Sequence, residues 1–348
     1  MISIVSSFNL KDLHHRRNFF LIVLSFSFLI LSSQFLFAAA PDYPVFVAKL
    51  PNPNDYNLFA NGGWDGNWYV GFNTCWIKKL PAIPAGRYQR AYIGVKLGRM
   101  KLDSAGKKPW ERGAIPGSIY MAIASTPAWT PGQSYLMADT KDVPLEGDFE
   151  SAVEGSGESQ WFWAEVPIQQ VNFSGDNFLA LWSPTPEFLS VSSSPVVAAG
   201  WGGKEVDAWL THDVQGAPPQ DPSKIGPGIS YFTPAMALKL IPEGGPHPVT
   251  VRMISWQNGA PNHLKPVITA DISGDSIERA WVEYLKDKTW TKMGRSIWET
   301  PYIFSLDQAQ LPKGRVRLRI AAANIWEDVS ASEPFTIEVS PVDSKQTK

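Results

Sequence analysis

From about residue 56 onward the sequence alternates apolar and polar residues with a period of two, and no stretch carries a capped 3.6-residue apolar stripe. A chain of this kind has to fold as a β protein. The strand candidates run from Asn67 to Ile77 and from Tyr88 to Leu102, followed by SIYMAIAST, SQWFWAEVPI, NFLALWS, VVAAGW, EVDAWL and YFTPAMALKLI, with Gly, Pro, Asn and Asp clusters between them. Eight or so short strands joined by unequal loops favour an antiparallel sandwich over residues 41–243, jelly-roll-like in its spacing. The Pro/Gly-rich segment 242–248 cannot pair inside a sheet and reads as a short stiff linker. Beyond it VTVRMISW, KPVITADIS, ERAWVEYL, PYIFSLD, RVRLRIAAAN and PFTIEVS make a second set, the size of an immunoglobulin-like sandwich over 244–341, with a polar, frayed tail at 342–348. The fold class expected is therefore all-β: a jelly-roll-like antiparallel sandwich followed by an immunoglobulin-like/fibronectin-like sandwich.

Residues 1–40 stand apart from this pattern. Lys11, His14, His15, Arg16 and Arg17 precede an apolar run from Asn18 to Phe37, and Ala38, Ala39 and Ala40 follow it. The order is that of a secretory signal peptide. The run is also long enough to span a bilayer, and Pro41 sits beside the expected cut, so an uncleaved signal anchor is the rival. Either way the rest of the chain is exported to the periplasm, cell surface or medium, and membrane contact is confined to an uncleaved N-terminus. With Lys11, Arg16, Arg17 and Asp12 removed, 28 basic and 32 acidic side chains remain, a net −4. Nucleic acid is not an expected partner of such a surface. One cysteine, Cys75, cannot form an internal disulfide, which fits an exported bacterial protein stabilised by its core.

The second strand set resembles the bacterial immunoglobulin-like modules attached to secreted polysaccharide-active enzymes and surface proteins. The likeness spans 266–340 and rests on Ile272, Gly274 and Asp275, then Ile277 with Val282, Glu283 and Tyr284. It continues through Thr300, Pro301, Tyr302 and Phe304, Gly314 before Val316, Leu318 and Ile320, Ala321 with Asn324, and Ser332 before Phe335, Ile337 and Val339. These are framework positions, so the resemblance implies a context and no catalytic residue. Residues 41–243 resemble carbohydrate-binding jelly rolls in strand pattern and Trp content alone.

Motifs for catalysis are absent. No zincin, nucleophile elbow, phosphate loop, dinucleotide fingerprint or EF-hand occurs. Asp65, Glu165, Glu205 and Asp207 are candidates for a carboxylate pair, which a polysaccharide hydrolase or lyase requires; solvated strand-face carboxylates are the plainer reading. The acidic run Asp142, Glu146, Asp148, Glu150, Glu154 and Glu158 reads as a solvated loop. A structural Ca²⁺ there, or near Asn61, Asp65 and Asn67, is the alternative. No other cofactor is implied.

Fifteen Trp, all beyond residue 40, are the largest departure from ordinary composition. An indole presents a flat apolar face with one N–H, which matches the C–H face and hydroxyl rim of a hexose. On SQWFWAEVP, alternation sends Trp161, Trp163 and Glu165 to one face and Phe162, Ala164 and Val166 to the other, which predicts a stacking platform beside an acid. Packing of that pair under a loop or against the second sandwich is the competing outcome. The turn NGGWDGNW offers Trp64, Asp65 and Trp68 as a second ligand-binding set, and Trp110 and Trp129 read as rim residues in Pro/Gly loops. Trp76, Trp182, Trp209, Trp281 and Trp326 read as core, and Arg90, Tyr92 and Lys96 as a polar strand face. The expected partners are a polysaccharide or glycan, with an envelope protein as the alternative.

Overall fold

The computed structural model describes residues 43–57, 68–103, 113–130, 132–146, 159–244, 247–257, 266–298, 300–306 and 311–339. They form antiparallel sheets in two sandwiches, with helix limited to single 3-10 turns. In the first sandwich, sheet I has the order β1 (Val45–Val47), β11 (Met236–Pro242), β3 (Tyr88–Gly98), β6 (Ser159–Val166), with β8 (Val196–Val197) also on β3. Sheet II has the order β10 (Gly228–Pro234), β9 (Ala199–His212), β2 (Thr74–Lys79), β7 (Phe178–Trp182), β4 (Ser118–Ala124), β5 (Tyr135–Asp139).

Alternation along each strand decides what enters the core between them. Ile93, Val95 and Leu97 on β3 and Phe162 and Val166 on β6 meet Trp76 on β2, Met121 on β4 and Leu181 on β7. Each large aliphatic side chain withdrawn from water there contributes about 1.5–3 kcal/mol.

The second sandwich sets β12 (Val249–Gln257), β13 (Val267–Gly274) and β16 (Tyr302–Ser305) against β15 (Thr289–Ile297), β14 (Ile277–Lys286), β17 (Gly314–Asn324), β18 (Val329–Ala331) and β19 (Phe335–Val339). Its first, second and fifth strands share one sheet, the immunoglobulin-like and fibronectin-like arrangement. Ile268, Phe304, Val282, Leu318 and Ile320 fill the space between.

Several strands depart from the expected boundaries. The run YFTPAMALKLI breaks at Ala235, and its halves lie in different sheets, β10 in sheet II and β11 in sheet I. Pro234 has no N–H for a ladder, while Ala235 donates to Ala198 O and accepts from Lys96 N, so the chain crosses between sheets at this point. Conversely, the second half of VVAAGW and all of EVDAWL belong to the single long strand β9, while Val196 and Val197 form β8 in sheet I. The short strands β1 and β5, and β15 with its polar alternation, are additions to the expected set.

Candidate functional site

The paired indoles on β6 do share a face, but that face is covered. Trp161 and Trp163 lie with ring centroids 5.2 Å apart and planes 14° from parallel. Phe46 meets both edge-on, and Tyr56 meets Trp161 edge-on at 5.7 Å. Trp161 is buried and donates its Nε1 proton to Pro53 O; Trp163 is half-buried under Lys239, whose Nζ is 4.6 Å from the ring centroid. The exposed stacking platform expected at Trp161 and Trp163 is thus corrected to a packed pair. The N-terminal segment and the second sandwich supply the covering groups, including Trp298, which donates to Gln160 Oε1. Glu165, at the end of the row, is exposed.

The polar face expected at Arg90, Tyr92 and Lys96 is covered in the same way. Arg90 donates to the carbonyls of Trp326 and Glu327, Tyr92 is buried, and Lys96 donates to Tyr56 O at 2.8 Å. At the centre of this joint the carboxylate of Glu327 bridges Lys239 of the first sandwich and Arg279 of the second, and Glu278 pairs with both cations. Burial alone would raise the Glu327 carboxyl, but Arg279 and Lys239 outweigh it and hold the pKa down at about 2.

Of the second expected ligand set, Trp64 and Asp65 lie outside the described residues. Trp68 is buried against Trp76, with centroids 4.8 Å apart, so its place in an open loop is also corrected: apolar packing draws it into the core. Asp207 sits inside the first sandwich 3.3 Å from the fully buried Lys78 and 3.7 Å from Lys49, a paired ion rather than a free acid. Burial pulls Lys78 down to about 8, against the opposing pull of Asp207. Glu205 is exposed. Of the acidic run, Asp142 and Glu146 are described, Glu146 paired with Lys101, and Asp148 to Glu158 are not. Among the described residues no three His, Cys, Asp or Glu come together as a metal site, and no helix is long and apolar enough to cross a membrane. Residues 1–42, Trp110 and 340–348 fall outside the description.

An open site exists on the other side of the molecule. Ala122 and Ala180 are cross-strand partners on the outer face of sheet II, and Tyr120 and Trp182 are the next facing pair along the same two strands. The two aromatic rings stack at 6.2 Å and 26°. The alanines keep the floor low beside them. Because β9, β2, β7 and β4 are joined by three antiparallel pairings, β4 and β9 run in opposite directions, and the loops that follow them leave opposite ends of the sheet. Both loops fold over this face. The β4–β5 loop brings Trp129 against Cys75, Ile77, Ala122 and Ala180, and the β9–β10 loop packs Val214 and Ile225 there.

Glycine makes the second loop possible. Gly216, at φ +66, donates to Phe72 O at 2.7 Å, and a Cβ on it would fall 2.7 Å from the Phe72 ring and 3.1 Å from Pro184 Cα.

Between the loops lies a cleft of about 410 Å³. Tyr120, Trp129 and Trp182 give its aromatic surface, and Thr130, Gln133, Ser134 and Gln220 its polar rim. Trp182 and Trp129 are 6% and 7% exposed, and the Trp129 Nε1 proton has no acceptor among the described residues. Tyr120 is half-buried and offers the more open ring. The sequence pattern puts Trp129 at a loop rim and Trp182 in the core, and it does not single out Tyr120 or Gln220. The alternation of SIYMAIAST and NFLALWS, with Tyr120, Ala122, Ala180 and Trp182 in one parity, was the signal available.

Two β-sandwiches, one carrying an uncharged aromatic cleft, define the class of the protein. The chain matches no protein-family model, and no curated protein matches it significantly. Among solved structures it is similar to the glycoside hydrolase domain of Endo-D from Streptococcus pneumoniae R6, at 9% identity and TM-score 0.23, over 77% of this chain and 32% of that one. The fibronectin(III)-like modules of Clostridium thermocellum CbhA match at 13% identity and TM-score 0.23, over 76% of this chain and 94% of theirs. A β-1,2-glucanase from Parabacteroides distasonis matches at 10% identity and TM-score 0.24, over 77% and 31%. The chain spans about a third of the first and last of these. At such TM-scores the likeness defines neither a common topology nor an activity.

Proposed function

We propose that the chain is an exported, non-catalytic carbohydrate-binding protein of the cell envelope or surface, and that it holds its glycan in the cleft over β4 and β7. The observation that carries this reading is the cleft's composition: Tyr120, Trp129 and Trp182 beside a rim of amides and hydroxyls, in a volume of about 410 Å³. Ligand sites combine an apolar concave surface with a few convergent polar groups, and this volume falls in their usual range of roughly 300–1,000 Å³. An aromatic ring stacks on the C–H face of a sugar while amides and hydroxyls bond its rim. Among the described residues no Asp or Glu lines the cleft, so the carboxylate pair that a hydrolase or lyase needs has no support from them. Export rests on the N-terminal leader pattern. The test is retention of the purified protein on a panel of immobilised polysaccharides. Retention by at least one, lost in Tyr120→Ala, is the expected result; a wild type that no glycan retains ends the proposal.

A second reading, an envelope assembly protein that binds protein partners, is favoured by one feature. On β9 and the sheet-edge strand β10, Trp201, Val206 and Tyr231 are 63%, 46% and 49% exposed. Exposed aromatics serve protein interfaces as readily as sugars. Concentration-dependent association on a sizing column, abolished by Trp201→Ser, would support it; a monomer at every concentration would count against self-assembly through this edge.

A further inference from the structure

The rim of the cleft carries information about ligand charge. Thirteen described residues line it, and none is Lys, Arg, His, Asp or Glu. A carboxylate or sulfate moved into such a site would lose hydration and gain no cation, a cost of several kcal/mol for an unpaired ion. An ammonium group would likewise find no counter-ion. What the cleft does supply is neutral hydrogen-bonding capacity: the amides of Gln133 and Gln220 and the hydroxyls of Thr130 and Ser134.

The shape adds a second constraint. Trp129 and Trp182 are more than nine-tenths buried and walled by loops, so they form no broad flat platform. One ring, Tyr120, is open enough to stack on, and it stands at the bottom of a walled space and not on a bare sheet face.

On the carbohydrate reading above, we propose that the ligand is a neutral saccharide segment, of hexose or pentose units without uronate, sulfate or free amino groups, entering as a soluble chain rather than as a crystalline surface. Binding of this kind is insensitive to salt, since no charge pair is screened.

Titration calorimetry on the full exported chain tests this with soluble neutral oligosaccharides, oligogalacturonates and chitosan oligomers at about 0.05 and about 0.5 M NaCl. The expected result is binding of a neutral oligosaccharide whose affinity changes less than about twofold with salt. It should weaken by about tenfold or more in Tyr120→Ala, which removes the stacking ring. Gln220→Ala, at an exposed rim position, weakens it without touching the core. A cooperative urea unfolding transition like that of the wild type verifies that each variant is folded. Binding of oligogalacturonate or chitosan that Tyr120→Ala abolishes would overturn the neutral class while leaving the carbohydrate reading intact. Neutral binding unaffected by either variant would remove the cleft as the site. Binding of no saccharide at all would end the carbohydrate reading itself.

Discussion

The six-membered ring of Trp163 lies directly over Gly94, its cross-strand partner from β6 to β3, so closely that a Cβ at Gly94 would fall 2.1 Å from ring carbon Cζ3. The indole is fixed from its other sides by Trp161, Phe46 and Lys239 and has nowhere to retreat. Gly94→Ala is therefore expected to destabilise the protein by about 1–3 kcal/mol, the usual cost of overpacking, although alanine suits a strand better than glycine. Urea unfolding curves of the two proteins measure it. An equal or higher midpoint would show that the pair yields easily.

Gly94 also shows why this face was hard to read. Alternation on SQWFWAEVP correctly grouped Trp161, Trp163 and Glu165 against Phe162, Ala164 and Val166, because a strand has only two sides. It cannot say what covers a side. The cover comes from Phe46 and Tyr56, more than a hundred residues earlier, and from Trp298, more than a hundred later. The cleft was obscured for a related reason. On β4 both parities are apolar, Ile119 and Met121 inward and Tyr120 and Ala122 outward, so composition does not single out the core side. The β content and most strands were legible, since turn residues and period-two runs are local; the break at Ala235 was not, since it depends on Ala198 and Lys96.

The Glu327 cluster makes a pH prediction whose sign follows from the direction of the shift. Its carboxyl lies at about 2, against an ordinary 4.5, so the stabilisation is complete above about 4.5 and is lost as the pH falls towards 2. The shift corresponds to something on the order of 3 kcal/mol. In Glu327→Gln that acid-dependent component should vanish. The variant should also be less stable at neutral pH by about 3–5 kcal/mol, because Arg279 and Lys239 stay buried with only Glu278 to pair them. Unfolding free energies of both proteins between pH 2 and 7 decide it; parallel curves would mean that Glu327 titrates alike in both states.

Lys78 has the opposite linkage. Burial lowers it from 10.5 to about 8, so between about pH 8 and 10 the unfolded chain binds the additional proton and stability rises with pH. Asp207, Lys49 and the Tyr56 ring surround the ammonium group, and Tyr56 itself is pushed up by burial, so its phenol stays protonated through this window. Relative to Lys78→Met, the wild type should gain stability as the pH is raised from 8 to 10. A constant difference across that range would show that Lys78 keeps its ordinary affinity for protons inside the core.

Cys75 lies on the outer face of sheet II, enclosed by Trp129, Ala122 and Ala180, and fully buried. Burial pushes its thiol well above the ordinary range, so thiolate, the reactive species, is scarce as well as shielded. An aromatic disulfide reagent should find no reactive thiol in the native protein and one after denaturation. Because the β4–β5 loop that shields Cys75 also walls the cleft, the rate of native labelling reports the opening of that wall. A saccharide bound between the loops holds them closed and should slow labelling further, by the factor 1 + [L]/Kd if it binds only the closed form. Labelling as fast with saturating oligosaccharide as without it would separate the binding site from this loop.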